Sequence, residues 1–525
     1  MFSKVRELSK DLAIYGSGDV AVSVINFLLL PIYVLYLTDA DYGVLAKLGA
    51  VEVVAKILFR CGLDGSFMRF YYDYEGEQDR RRLASTIFIF LLALNLVWLA
   101  ISIAAAPALA EWLFTWNETV RVDERTMHVR ALQLVLVNTF VLGFTFFPFH
   151  LLRMQKRAAE YSLLTLTRSV TTLLLRLLFV IALGYGVIGV VIADLIVTAL
   201  VIVVLMPAFA TLIRPLFSRA MLRESLAFGL PRVPHAFAQQ VMAVGDRFVF
   251  AFYQVGNGLV GIYSMGASFA LTQKLFLSAF EAAWAPFYYA TARERDAPRV
   301  FTIVTTYAFA VLALMAAGLS AIAADLIDLM VGDIYAPAAD VIPWIAVGVL
   351  LQGIYLLTSI GLNLTKNTRY YPVATAAAAA ASVVLNLLLI PSYGIRGAAW
   401  GNAAAYGLQA VVAFHFAQRF YPIEYEWSRL ARVGGAALLG FLVARQLPVM
   451  PALGGVMVRG AVVVAVTGVV LAATRFFKPD ELELLKRLRR RPAADPVTPH
   501  AETTEFAGEI IATDVPGDTA AKQPR

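Results

Sequence analysis

Fourteen stretches of about twenty mostly apolar residues run through this chain, and no other feature constrains its fold as tightly. A helix rises about 1.5 Å per residue, so about twenty such residues cross the roughly 30 Å hydrocarbon core of a bilayer. The stretches lie near 12–37, 42–62, 83–106, 129–151, 163–183, 186–206, 230–252, 258–284, 300–323, 340–361, 371–390, 395–417, 430–446 and 454–473. In lipid, backbone polar groups must be satisfied within the segment, which leaves helices for runs of this length. The pattern predicts an all-α polytopic membrane protein with about 14 transmembrane helices. Only 15% of the 525 residues are charged, against about 25% in a typical soluble domain. A soluble enzyme, a disordered chain and a disulfide scaffold are excluded. Cys61 is the sole cysteine, so an internal bridge or a cysteine metal cluster cannot form.

Lysine and arginine in the turns test this map. The N-terminus, the even-numbered turns and the segment Arg475–Arg491 hold 31 of them. The odd-numbered turns hold six: Arg121, Arg125, Arg130, Arg396, Arg445 and Arg459. Basic residues stay on the cytoplasmic side, so both termini are predicted cytoplasmic. The same bias accounts for the net charge of +7 without a nucleic-acid partner. The first apolar stretch is too long for a signal-peptide core and lacks a small-residue cleavage site, so it reads as a first spanning helix. Residues 475–525 read as a cytoplasmic tail, basic and then disordered in composition. Within it, Asp480–Arg491 has the pattern of a short amphipathic surface helix.

The two halves repeat. Tyr42-Gly43-Val44 matches Val260-Gly261-Ile262, and Lys56 matches Lys274 at the same offset of 218. Phe70-Tyr71-Tyr72 matches Phe287-Tyr288-Tyr289, and Tyr185-Gly186-Val187-Ile188-Gly189 matches Tyr393-Gly394-Ile395-Arg396-Gly397. The unit is six helices, an even number, so both copies face the same way about an axis along the membrane normal. This predicts an N-terminal lobe at 1–206, a C-terminal lobe at 207–418 and two additional helices at 419–474. Two parallel lobes around a cleft suit alternating access.

An ionisable group at mid-membrane costs a few kcal/mol, so each needs a reason. The spans hold Asp19, Lys47, Glu52, Lys56, Arg176, Asp194, Asp246, Arg247, Lys274 and Glu281. Glu52, Lys56 and Arg60 share one helix face. Glu52 and Lys56 have two readings: an ion pair at i, i+4, or groups facing the cleft. Lys47, near a helix end, reads as snorkelling to water. Asp194, whose repeat counterpart is Asn402, reads as a packing residue. Asp246 and Arg247 point about 100° apart on a helix, so one faces the cleft while the other braces a neighbour. His150, His235 and His415 fall near cytoplasmic ends and read as interfacial.

Lys56 and Lys274 are repeat partners, and Arg176 and Arg60 can join them in a cleft with cationic walls. Such a site suits an anion, above all a diphosphate. No GxxxxGK[ST] loop, HExxH or paired-cysteine site is present. Asp39-Ala40-Asp41 has a DxD spacing but lies in a short outer turn, where nucleotide sugars are not expected. No metal site is predicted, and no cofactor beyond a coupling proton or sodium ion. With no ATP site, energy must come from an ion gradient, the membrane potential or the cargo's own gradient. Asp19, Glu52, Glu281 and Asp246 are the ion-coupling candidates.

Several stretches carry a family resemblance. Leu230-Pro231, Gly245-Asp246-Arg247-Phe248 and Val260-Gly261-Ile262-Tyr263-Ser264 follow in order. Asn386-Leu387-Leu388-Leu389-Ile390-Pro391-Ser392-Tyr393-Gly394-Ile395-Arg396-Gly397-Ala398-Ala399 joins the eleventh and twelfth stretches, and Gly62-Leu63 with Arg69-Phe70-Tyr71 follows the second. Over about residues 10–475 the chain resembles the Wzx-type oligosaccharide flippases of polysaccharide biosynthesis (O-antigen, capsule or exopolysaccharide). That superfamily also holds multidrug exporters and lipid II flippases. The resemblance implies a V-shaped bundle in the bacterial inner membrane. It implies transfer of undecaprenyl-diphosphate-linked oligosaccharide from the cytoplasmic to the periplasmic leaflet, with Arg247 and Asp246 as cavity residues. The partners implied are the lipid-linked cargo, membrane lipids, a polysaccharide polymerase and a chain-length regulator. The alternatives are an ion-coupled multidrug exporter, a lipid II flippase, and a membrane glycan polymerase or ligase. The last would want a larger outer loop than residues 107–128 provide.

Overall fold

A computed structural model describes residues 27, 30–74, 76–115, 122–155, 157–292, 294 and 296–478. Asp19, the start of the first predicted span and the proposed surface helix at 480–491 lie outside the described residues. The described residues form helices joined by turns, with no strand among them. In chain order the first nine are α1 (Leu30–Tyr36), α2 (Asp39–Arg60), α3 (Leu63–Asp73), α4 (Glu77–Leu113), α5 (Val122–Leu142), α6 (Phe146–Met154), α7 (Ala158–Leu177, extended by a π-helical turn to Ala182), α8 (Gly186–Leu212) and α9 (Arg219–Gly229). The rest are α10 (Val233–Phe252), α11 (Asn257–Phe269), α12 (Leu271–Thr291), α13 (Ala297–Met330), α14 (Ile342–Thr358), α15 (Ile360–Leu364), α16 (Tyr370–Phe420), α17 (Trp427–Arg445) and α18 (Ala452–Ala473).

Each predicted span has helix on it, with local differences. α16 holds two spans, because Gly394 sits at φ 55° and kinks the chain between them. The span expected at 129–151 breaks between α5 and α6, and the one at 258–284 breaks at Ala270. Among the described residues nine helical stretches are long and apolar enough to cross a bilayer, α16 counting once. Those outside that set include α2, α10 and α12, whose apolar runs are interrupted by charged residues such as Glu52, Lys56, Asp246, Arg247 and Lys274.

Local chemistry fixes several ends. Thr38 and Asp41 form a capping box on α2: Thr38 Oγ1 accepts from the Asp41 N–H at 3.1 Å, and Asp41 Oδ2 accepts from the Thr38 N–H at 3.0 Å. α2 stops at Cys61 and Gly62, both left-handed at φ 48° and 69°. The turns expected after the second and sixth spans contain the short helices α3 and α9, which pack together. Ser66 Oγ donates to the Ser225 carbonyl at 2.7 Å, and the Phe70 and Phe228 rings meet edge-on at 5.5 Å.

Lipid removes most of the hydrophobic drive between helices, so tight packing rests on small residues. α14 lies along α16 with Gly348 against Ala403. α17 and α18 pack on each other and on α13. α2 runs against α10 and α11, and its closest approach is at Gly43 and Gly261, the pair matched by the sequence repeat.

Candidate functional site

A cavity of about 520 Å³ opens beside α2, between elements from both halves of the sequence. Tyr33, Tyr42, Glu52, Arg176 and Asp194 line it from the first half; Arg247, Tyr263, Lys274, Asn402 and Tyr406 line it from the second.

Two hydrogen-bonded hubs organise its walls. In the first, Arg176 Nε and Nη2 each donate to an Asp194 carboxylate oxygen at 2.7 Å, and Nη1 donates to Tyr33 Oη at 3.3 Å. This two-pronged geometry is the strong form of a charge-assisted pair. In the second, Asp246 is 1% exposed. Its carboxylate accepts from Arg247 Nη1 at 2.7 Å, Tyr263 Oη at 2.6 Å and Asn402 Nδ2 at 2.7 Å. Three side-chain donors, with the Arg247 backbone N–H at 2.9 Å, meet the rule that a buried charge must be paired and hydrogen-bonded. Arg247 also lies 5.1 Å from the Tyr263 ring centre.

Lys274 is different. It lines the cavity, half-buried, and its ammonium has neither ion pair nor hydrogen bond among the described residues. Glu52 lines the same cavity and is equally without a partner there. The cavity thus offers one uncommitted cation and one uncommitted carboxylate, beside two arginines already held by aspartates.

Residues 8–289 match the family model described as "Polysaccharide biosynthesis protein". The chain belongs to that family. No curated protein matches it. Among solved structures, it is similar to the lipid II flippase MurJ in an inward closed conformation, at 13% identity and a TM-score of 0.73 over 88% of this chain and 99% of that one. It is also similar to an inward-facing multidrug-resistance MATE transporter of the MOP superfamily, at 16% identity and a TM-score of 0.64 over 79% and 96%. A third is a MOP superfamily transporter from Pyrococcus furiosus with a reversed pocket polarity, at 16% identity and a TM-score of 0.50 over 82% and 96%. The fold is therefore shared with the MurJ and MATE structures, and the family is that of the polysaccharide biosynthesis proteins.

Of the cavity cations expected in this family member, Lys274, Arg176 and Arg247 line the cavity; Lys56 and Arg60 do not. Arg60 instead faces Asp64 at 3.5 Å and the Phe146 ring at 5.7 Å. The repeat partners Lys56 and Lys274 therefore sit in unlike surroundings. The Glu52–Lys56 ion pair that the spacing allows does not form. Glu281 is exposed and away from the cavity, because the α12 face that carries Lys274 leaves the cavity before it reaches Glu281.

Three readings of single residues are corrected. Asp194 is not a packing residue; it is the carboxylate that neutralises Arg176. Asp246 and Arg247 brace and face the cleft as expected, yet they also pair with each other, because the long arginine side chain reaches back. Lys47 does not snorkel. It is 0% exposed and donates to Asn257 Oδ1 at 2.9 Å, since the packing of α11 on α2 closes its route to water. Tyr33, Tyr263 and Asn257 escaped the sequence reading, because uncharged polar residues stand out little in apolar runs. Asn402 had a usable signal, its repeat offset of 208 from Asp194. Among the described residues no group of three potential metal ligands converges.

Proposed function

We propose that this protein flips an undecaprenyl-diphosphate-linked oligosaccharide from the cytoplasmic to the periplasmic leaflet of a bacterial inner membrane, supplying polysaccharide assembly. The lobes at 1–206 and 207–418 rock about the cavity, and both termini are cytoplasmic. Lys274 is the observation that carries the reading: an unpaired ammonium in a cavity between the two halves. A half-buried cation without a partner within a membrane span suits an anion, and a diphosphate supplies several acceptor oxygens. Arg176 and Arg247, each held by an aspartate, shape the walls and lend hydrogen-bond donors rather than net charge. Glu52 is the favoured site for a coupling proton or sodium ion, being the uncommitted carboxylate of the cavity.

The direction of opening follows from the basic-residue bias. The Gly43–Gly261 contact and the Lys47–Asn257 bond join segments assigned to the periplasmic side. Closure there supports an inward-facing state, ready for a headgroup from the cytoplasm.

The test is Lys274→Gln in cells that depend on the protein for surface polysaccharide. Surface glycan should be lost, while lipid-linked oligosaccharide accumulates on the inner leaflet and drug sensitivity stays unchanged. Normal surface glycan, or altered drug sensitivity without glycan loss, would overturn the reading, the second in favour of an exporter.

A further inference from the structure

A second cavity, of about 840 Å³, lies between α13, α14 and α17, and shares no lining residue with the first. Its long wall is α13, from Phe309 through Ala313, Ala317 and Ser320 to Ala324. The fifteen helical steps from Phe309 to Ala324 rise about 22 Å, roughly the reach of one extended acyl chain. The wall is made of small and apolar side chains, which leaves room rather than filling it.

One end of this slot is chemically distinct. Arg396, Arg445 and Arg459 all line it, three of the six basic residues on the side where such residues are scarce. Arg396 is paired with Asp340, and Arg459 with Asp325. Arg445, at the last position of α17, has no ion pair or hydrogen bond among the described residues. The Trp400 indole N–H, in the same wall, is buried and has no acceptor. A buried donor without an acceptor is costly, so the Trp400 N–H calls for an oxygen, while Arg445 stands exposed and unpaired at the rim of the slot. One excess positive charge above a long apolar slot is complementary to an amphiphile with a single negative headgroup. A small soluble anion would leave the slot empty; a lipid without net charge would leave Arg445 unanswered.

We propose that this slot holds one anionic glycerophospholipid from the leaflet on the lysine-poor side. Its acyl chain lies along α13, its phosphate sits beside Arg445, and an ester or phosphate oxygen accepts the Trp400 N–H. The lipid fills the space between α13 and the trailing helix α17, and couples their packing to membrane charge.

The test is native mass spectrometry of the full chain with added phosphatidylglycerol, phosphatidylcholine of the same chain length, or inorganic phosphate. One phosphatidylglycerol should be retained in preference to phosphatidylcholine. Arg445→Gln should weaken that binding about fivefold, the size expected for one basic residue near a lipid headgroup, and leave phosphatidylcholine unchanged. Ala324→Trp, which obstructs the slot from an exposed position on its wall, should lower retention of both lipids. Equal binding of the two lipids, no effect of Arg445→Gln, or capture of inorganic phosphate alone would overturn the proposal. So would full retention after Ala324→Trp. The readout is lipid retention, so the result is independent of the cargo reading above.

Discussion

Gly43 and Gly261 meet backbone to backbone: a Cβ on Gly43 would lie 1.8 Å from the Asn257 carbonyl oxygen, and one on Gly261 would lie 1.9 Å from the Asp39 carbonyl oxygen. Neither carbonyl is a flexible side chain, so any larger residue forces α2 and α11 apart. Overpacking of this kind costs about 1–3 kcal/mol. Gly261→Val should therefore melt several degrees below the parent in detergent. Gly318→Ala, which meets no atom within 4 Å, should not. Equal melting of the two variants would show that the contact does not hold the helices together.

The Arg176–Asp194 pair should behave as a unit. Breaking a buried pair strands the remaining charge and typically costs about 3–5 kcal/mol. Here each side chain retains some exposure, 22% and 24%, so about 2–3 kcal/mol is expected for Arg176→Gln or Asp194→Asn alone. The double variant should recover part of the loss, as read by chemical denaturation. Strict additivity would mean that the two groups act separately.

Lys47 and Asn257 give an asymmetric prediction. Lys47→Met removes a buried charge and keeps its volume, whereas Asn257→Ala leaves the ammonium without its acceptor. Leaving a buried donor unsatisfied is the costlier change. Asn257→Ala should lower the melting temperature more than Lys47→Met. The reverse order would show that the ammonium has another acceptor.

Position within the cavity, rather than charge alone, should set the effect on transport. Lys274→Gln should abolish it, and Lys274→Arg should retain a measurable fraction, since the charge persists with a different shape. Lys56→Gln and Arg60→Gln should be far milder, because neither side chain lines the cavity. Surface-glycan staining at matched protein levels reads this out. An equal loss at Lys56 would return it to the cargo site.

Much of the helix map is written in the apolar runs, because twenty apolar residues have few other stable arrangements in lipid. Breaks at Ala270 and between α5 and α6 are not, since both fall inside continuous apolar stretches. α3 and α9 were also missed, as amphipathic eleven-residue helices in segments that hydropathy reads as turns. At the site, Lys274, Arg176, Arg247 and Glu52 were legible because ionisable residues are conspicuous in a membrane span. Their partners were less so. Asp194 and Arg176 are eighteen residues apart on different helices, and Asp246 reaches Asn402 across 156 residues.

The sequence by itself determined which segments must be helical, and that charges are buried among them, because hydropathy and ionisation are properties of single residues. Which charges are spent and which are free was decided only by tertiary structure. Neutralisation depends on whether a particular carboxylate comes within about 3 Å, and that distance is set by how α2, α8, α10 and α16 pack.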